Sequence, residues 1–189
     1  AFEKYQSFIN NASNEEIAKL IGTKKQDVID YYSSDIFARN TKKVIQRYDG
    51  VAYDYLKYED LLEKEKEYID KNVLIFSNLF GPILAGDTGL PDYKLKQGEK
   101  LEGLAVEHFY KEHFSNALDE YLEDEDIIDL RAGFYEKFYK INKPYTTMKF
   151  IKDWYFSIIS NLCSKSSGKI KLFLLNFLSL PSLYFAYDY

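Results

Sequence analysis

The sequence predicts an α+β fold: one compact domain over residues 1–189, helices outnumbering a small mixed sheet, with an N-terminal helical hairpin inside a helical part at 1–48. Three observations lead there. The length of 189 residues suits one domain, and a chain of that size buries roughly 70% of its unfolded surface without staples. Several segments space their apolar residues at the helical period, with capping residues ahead of them. Short apolar runs such as Val73-Leu74-Ile75-Phe76 and Ile127-Ile128-Asp129-Leu130 stand between them and read as buried strands.

Taken in order, Phe2 to Ile9 is a short amphipathic helix with Phe2, Tyr5, Phe8 and Ile9 on one face. Ser13 precedes Glu16 at capping-box spacing and opens a second helix through Ile17, Leu20 and Ile21. Gly22 ends it, because glycine takes the left-handed C′ position without steric cost. Thr23 is placed to cap the next helix, which carries Val28, Ile29, Tyr31 and Tyr32 and completes a hairpin over 13–33. A helix from Thr41 to Arg47 ends at the Asp49-Gly50 turn. Tyr58 to Asp70 is a charged, solvated helix.

From Gly81 to Gly98 the text becomes a Gly- and Pro-rich loop, interrupted by Tyr93-Lys94-Leu95-Lys96, which alternates like a half-buried strand. A loop that long in a compact domain is usually functional. Leu104 to Leu122 is the longest helix, and Phe134 to Tyr139 a helical turn. Thr147 to Ile159 is expected to hold two strands, Gly168 to Leu178 a helix stopped before Pro181, and Leu183 to Ala186 a last strand. Most Tyr and Phe, including Tyr53, Phe76, Phe80, Phe109, Phe114 and Phe150, are expected in the core rather than as base-stacking platforms.

Composition narrows function mainly by exclusion. A net charge of −5 means that the whole chain is not a basic nucleic-acid binder, so local clusters must decide its partners. The single Cys163 excludes an internal disulfide and a multi-cysteine zinc site and fits a reducing compartment. The most apolar stretch, Ile170 to Tyr187, is broken by Lys171, Asn176, Ser179 and Pro181, so no membrane span is expected. No signal peptide is read at Ala1-Phe2-Glu3-Lys4, and the start without methionine fits a fragment or residues missing ahead of Ala1.

No constellation of catalytic residues emerges. His108 and His113 are five apart on one helix, about 140° around its axis, which is poor geometry for a shared metal. Ser77, Ser115 and Cys163 lack a nucleophile elbow, and the acidic run Glu123 to Asp126 reads as a solvated turn. No phosphate-loop fingerprint occurs. Catalytic residues, metal ligands and cofactors are therefore all expected to be none.

Basic residues cluster instead. Lys24 and Lys25, with Lys19, flank the hairpin turn; Lys42, Lys43 and Arg47 form one stretch of the next helix, with Lys43 and Arg47 four apart on one face; Lys165 and Lys169, with Lys171, surround Gly168 among three serines. Lys94 and Lys96 fall on one side of their extended segment. Helix N-terminal amides with nearby lysines and hydroxyls suit a phosphate oxygen. A basic stripe ~20 Å or longer would favour DNA, and a closed pocket of a few hundred Å³ a small anionic ligand.

Three stretches carry a family resemblance: Arg47-Tyr48-Asp49-Gly50-Val51-Ala52-Tyr53, Phe76-Ser77-Asn78-Leu79-Phe80-Gly81-Pro82, and Leu90-Pro91-Asp92-Tyr93-Lys94-Leu95-Lys96-Gln97-Gly98. In order and spacing they resemble successive motifs of the YaaA family of bacterial peroxide-stress proteins, and Ile127 to Leu130 with Phe134-Tyr135 extends the match. The resemblance implies a cytoplasmic α+β protein with a basic cleft that binds double-stranded DNA, helped by a helix-hairpin-helix at 13–33, and limits iron-linked oxidative damage. The DNA-contacting residues would be Lys24, Lys25, Lys43, Arg47, Lys94, Lys96, Lys165 and Lys169. An enzyme acting on an anionic small molecule or nucleotide in the same cleft is the alternative. The sequence departs from the family in three places: no Ser-Pro strand precedes Phe2, the hairpin has one glycine, and Ser160 to Ser164 lacks the family's histidine and lysine.

Overall fold

The computed structural model describes residues 1–147 and 170–174. Seven α-helices and nine short strands occur among the described residues, giving an α+β architecture. Helices α1 (Phe2–Asn11), α2 (Asn14–Ile21) and α3 (Gln26–Tyr32) come first. After a single 3-10 turn, Ile36–Ala38, strand β1 (Thr41–Lys42) leads into α4 (Val44–Arg47) and α5 (Val51–Leu56). The expected helix over Thr41 to Arg47 is thus shorter, because Thr41 and Lys42 pair with Pro91 and Leu90 of β4 (Leu90–Pro91).

The charged helix is α6 (Glu63–Asn72), separated from a 3-10 turn at Tyr58–Asp60. It runs directly into β2 (Val73–Ser77), every residue of which is buried, as its unbroken apolar text requires. Residues Gly81–Leu84 form β3, antiparallel to β2, where the sequence suggested loop. Glycine and proline are tolerated there because β3 is the end strand of its sheet among the described residues. The register makes Ser77–Gly81 and Ile75–Ile83 the bonded pairs, so Pro82 needs no ladder N–H.

A two-residue hairpin, β5 (Lys100–Leu101) with β6 (Leu104–Ala105), precedes α7 (Val106–Tyr121), β7 (Asp126–Asp129), a 3-10 stretch at Gly133–Lys137 and β8 (Thr146–Thr147). The last described strand, β9 (Ile170–Leu174), corrects the helix expected over Gly168 to Leu178. A run of five mostly apolar residues is ambiguous between helix and strand. Here the parallel ladders to β2 and β7 decide the matter. The main sheet has the order β3-β2-β9-β7-β8, with β2, β9, β7 and β8 parallel and β3 antiparallel. Helix α6 packs on β2, β3 and β9, and α7 on β3.

Tyr53 and Phe76 are core residues as expected, whereas Phe80 and Phe109 are half-buried and Phe114 is exposed. Among the described residues no helix is long and apolar enough to cross a membrane. Cys163, Phe150 and the strands expected within 148–159 and at Leu183 to Ala186 lie outside the described residues.

Candidate functional site

The turn between α2 and α3 is built from its first residues. Ser13 Oγ accepts the Glu16 N–H, and the Glu16 carboxylate in return accepts the Ser13 N–H at 2.8 Å. That N–H bond, with the Ser13 hydroxyl donating to the same oxygen at 2.9 Å, holds the Glu16 carboxyl below the usual carboxylate range. Gly22 closes α2 at φ 71°, and the Thr23 N–H reaches back to the Ala18 carbonyl. Thr23 does not cap α3 itself: its hydroxyl accepts the Lys25 N–H at 3.2 Å, and Lys25 holds the N-cap position. Lys24 and Lys25 are both exposed on this turn, and α2 and α3 pack on one another.

Residues 90–96 form an extended strap across this helical pair. The Tyr93–Lys96 segment is irregular rather than a strand, yet it alternates as expected: Tyr93 and Leu95 are buried, Lys94 is half-buried and Lys96 exposed. Instead of a ladder, its backbone is bonded piecemeal. Lys96 N–H donates to the Leu20 carbonyl at 2.8 Å, Tyr5 OH to the Lys94 carbonyl at 3.2 Å, and Asn78 Nδ2 to the Leu95 carbonyl at 3.1 Å. The Lys96 stem lies over Gly22 so closely that a β-carbon there would sit 3.0 Å from Lys96 Cδ. Two of the expected basic positions, the hairpin turn and Lys94/Lys96, are therefore brought together. Lys96 also pairs with Glu99 at 3.0 Å.

Inside the strap lies a buried hydroxyl chain. Ser77 Oγ accepts N–H bonds from Leu79 and Phe80, which occupies both lone pairs. Its hydroxyl lies 2.6 Å from Tyr93 OH, which in turn lies 3.0 Å from Tyr48 OH, so the three hydroxyls share hydrogen bonds. Burial pushes the Tyr48 and Tyr135 phenols up, so both stay neutral. Ser77 is 0% exposed and serves as a strut, not an available nucleophile. Tyr135 OH donates to Asn78 Oδ1, which ties the 3-10 stretch after β7 to the same frame.

Lys43 and Arg47 do not share a helix face, because Lys43 is the N-cap of the short α4; Lys43 stands apart from the strap, Arg47 lies against it, and both are engaged. Lys43 Nζ lies 2.7 Å from the Asp70 carboxylate and 3.0 Å from Tyr58 OH, and the hydrogen bond to Asp70 raises its pKa. Arg47 donates to the Leu90 and Asn40 carbonyls and approaches Asp92 at 3.8 Å. Asp92 is where the strap meets α3: its carboxylate accepts Tyr31 OH at 3.1 Å and Tyr32 OH at 3.0 Å. Buried Arg39 donates to the carbonyls of Tyr32, Ser34 and Asp92. Lys165 and Lys169 lie outside the described residues.

Two open grooves adjoin the start of the strap, one of about 450 Å³ lined by Val44, Ile83, Asp87 and Thr88, the other of about 270 Å³ lined by Phe2, Ile36, Phe37 and Thr41. Phe80, Gly89 and Pro91 belong to both. The charged side chain among these linings is Asp87, which does not suit an anion. His108 and His113 are exposed on α7, and His113 Nδ1 faces the Phe109 carbonyl at 2.8 Å. Among the described residues no group of three or more His, Cys, Asp or Glu could hold a metal ion.

Sequence reasoning passes over Arg39, Asp92 and the two tyrosines of α3. Their one signal is the Pro91-Asp92-Tyr93 run, which reads as part of a motif rather than as a joint.

The sequence matches the family described as "Peroxide stress protein YaaA" over residues 1–175. It is 51% identical over 153 residues to an uncharacterized protein of Campylobacter jejuni, covering 81% of this chain and 62% of that one. A UPF0246 protein of Fusobacterium nucleatum is 30% identical over 146 residues, 69% of this chain and 58% of its own. A UPF0246 protein of Streptococcus sanguinis is 32% identical over 111 residues, 56% and 44% of the two chains. The chain thus spans about half the length of these curated relatives. With a match that runs through the helical pair, the strap and the central strands alike, the chain belongs to the peroxide stress protein YaaA family.

Proposed function

We propose that this protein acts in the cytoplasm during peroxide stress by binding double-stranded DNA and limiting iron-linked oxidative damage to it, without turnover. The observation that supports this reading is the stacking of the Lys96 stem on Gly22. It brings the turn at Gly22 against Lys96; on this reading the turn acts as a helix-hairpin-helix, and Lys24, Lys25, Lys94 and Lys96 act as one cationic surface. Such a surface grips backbone phosphates and reads no bases. Lys43 and Arg47, bound to Asp70 and to backbone carbonyls, contribute less than the exposed Lys24, Lys25 and Lys96.

A salt titration with duplex DNA tests it. Removing one lysine–phosphate pair should shallow the slope of log K against log salt by about 0.9. Lys24→Ala with Lys25→Ala should flatten the slope by roughly one or two units, equally for all sequences, and Lys94→Ala with Lys96→Ala should do the same. Parent affinity that does not vary with salt, or variants that bind like the parent, would remove DNA contact from these residues.

A further inference from the structure

We infer that Asp92 is a positioning residue that latches the α2–α3 pair onto the strap, so that the Gly22–Lys25 turn and Lys94/Lys96 act as one surface; this rests on the DNA-binding reading above. Without the latch, the Lys96 N–H bond to the Leu20 carbonyl and the Lys96 stem on Gly22 hold the two groups together at the α2 end. The far end of α3 is fixed by Asp92, whose two carboxylate oxygens each take one tyrosine hydroxyl, Tyr31 on Oδ2 and Tyr32 on Oδ1. The charge on the acceptor makes these bonds stronger than hydroxyl–carbonyl bonds.

The surroundings are arranged to keep that carboxylate in place. Arg47 lies 3.8 Å from Oδ2, and Arg39 reaches the Asp92 carbonyl while its guanidinium sits 5.8 and 5.2 Å from the Tyr31 and Tyr32 ring centres. Burial and the nearby Asp92 carboxylate raise the pKa of both phenols, so both remain donors through the physiological range. The latch bonds span about 60 residues of sequence, joining α3 to a segment that β1 and the Ser77–Tyr93 bond already anchor. Removing the carboxylate loosens α3 at one end without freeing it, because Arg39 still bridges the Tyr32 and Asp92 carbonyls. It leaves Arg39 its bonds to the Tyr32, Ser34 and Asp92 carbonyls, and Arg47 its bond to Leu90.

The test uses the full chain with Asp92→Ala and, separately, Tyr31→Phe with Tyr32→Phe, in two measurements. Hydrogen exchange reads the latch without DNA: α3 amides should exchange several-fold faster in both variants, with β2 amides unchanged. Salt titration with a duplex reads the consequence. Lys24→Ala with Lys25→Ala, which flattens the slope in the parent, should flatten it measurably less in an Asp92→Ala background, though not to nothing, because Lys96 still holds the α2 end. Unchanged α3 exchange overturns the latch, and strictly additive slopes overturn its role in joining the two surfaces. A parent slope near zero with faster α3 exchange in the variants would instead overturn the DNA-binding reading and leave the latch standing.

Discussion

Gly81 sits at φ 71°, and the Tyr110 ring occupies the place a β-carbon would take, with Cδ1 at 2.4 Å. Tyr110 cannot retreat freely, because its hydroxyl donates to the Leu79 carbonyl at 2.9 Å. Gly81→Ala should therefore combine left-handed strain with overpacking and cost roughly 2–5 kcal/mol of stability. Gly89→Ala, at φ 85° with nothing near its β-carbon, should cost only about 1–2 kcal/mol. Urea midpoints of the two variants check the difference, and equal losses would mean that Tyr110 yields. In the sequence Gly81 is one glycine among several in a loop; what distinguishes it is a ring from a helix 29 residues on, which no local pattern encodes. Ser77 is set aside as a nucleophile in the sequence for want of an elbow, but its burial is no more legible there than the ring over Gly81. Its neighbours Tyr48 and Tyr93 come from 29 and 16 residues away, and only the fold shows that they bury it.

Elements with internal signals are legible in the sequence, whereas those defined by partners are not. The apolar spacing of Phe2 to Ile9, the Ser13–Glu16 box with Gly22, and the apolar text of β2 give α1, α2 and β2 within a residue or two of their ends. The α5 helix (Val51–Leu56) escapes notice because its outer face shows Val51 and Tyr55 to solvent, which blurs the helical period. β3 and β9 read as loop and helix because a strand of four or five residues is decided by the ladder beside it. β3 also closes its own outer edge: Pro82 has no N–H there, and the Leu84 N–H is taken by the Asp87 carboxylate at 3.2 Å. β9 has the opposite character, with ladders on both sides, so a chain ended after Lys169 should lose the sheet's cooperativity. Far-UV circular dichroism during urea unfolding should then show a broad, low-midpoint transition; a sharp transition matching the parent's would show that β2 and β7 close without it.

On the scale of the whole molecule, the aromatic content has a defined consequence for pH. The chain holds 18 tyrosines, and burial raises the pKa of Tyr5, Tyr48 and Tyr135 and brings Tyr110 to about 12. A pKa raised in the fold favours the neutral phenol there. The stability it represents is fully present below the unfolded value near pH 10 and is lost as pH climbs through the folded value. Lys43, raised chiefly by its bond to Asp70, adds to the loss in the same direction. Unfolding should therefore set in between about pH 10 and 12. The buried phenols should titrate only together with loss of the circular-dichroism signal. Full phenolate absorbance with secondary structure intact would contradict the buried hydroxyl chain.

The place of β9 in the chain also sets a timetable. It lies between β2 and β7 in space but follows both in sequence, its ladder partners ending at Ser77 and Asp129. A ribosome adding 5–20 residues per second needs roughly 2–9 seconds to pass from Asp129 to Leu174. Through that interval the nascent chain carries two parallel edges with no strand between them, so the helical N-terminal part can settle early while the sheet waits for β9, the last of its described strands, to be made.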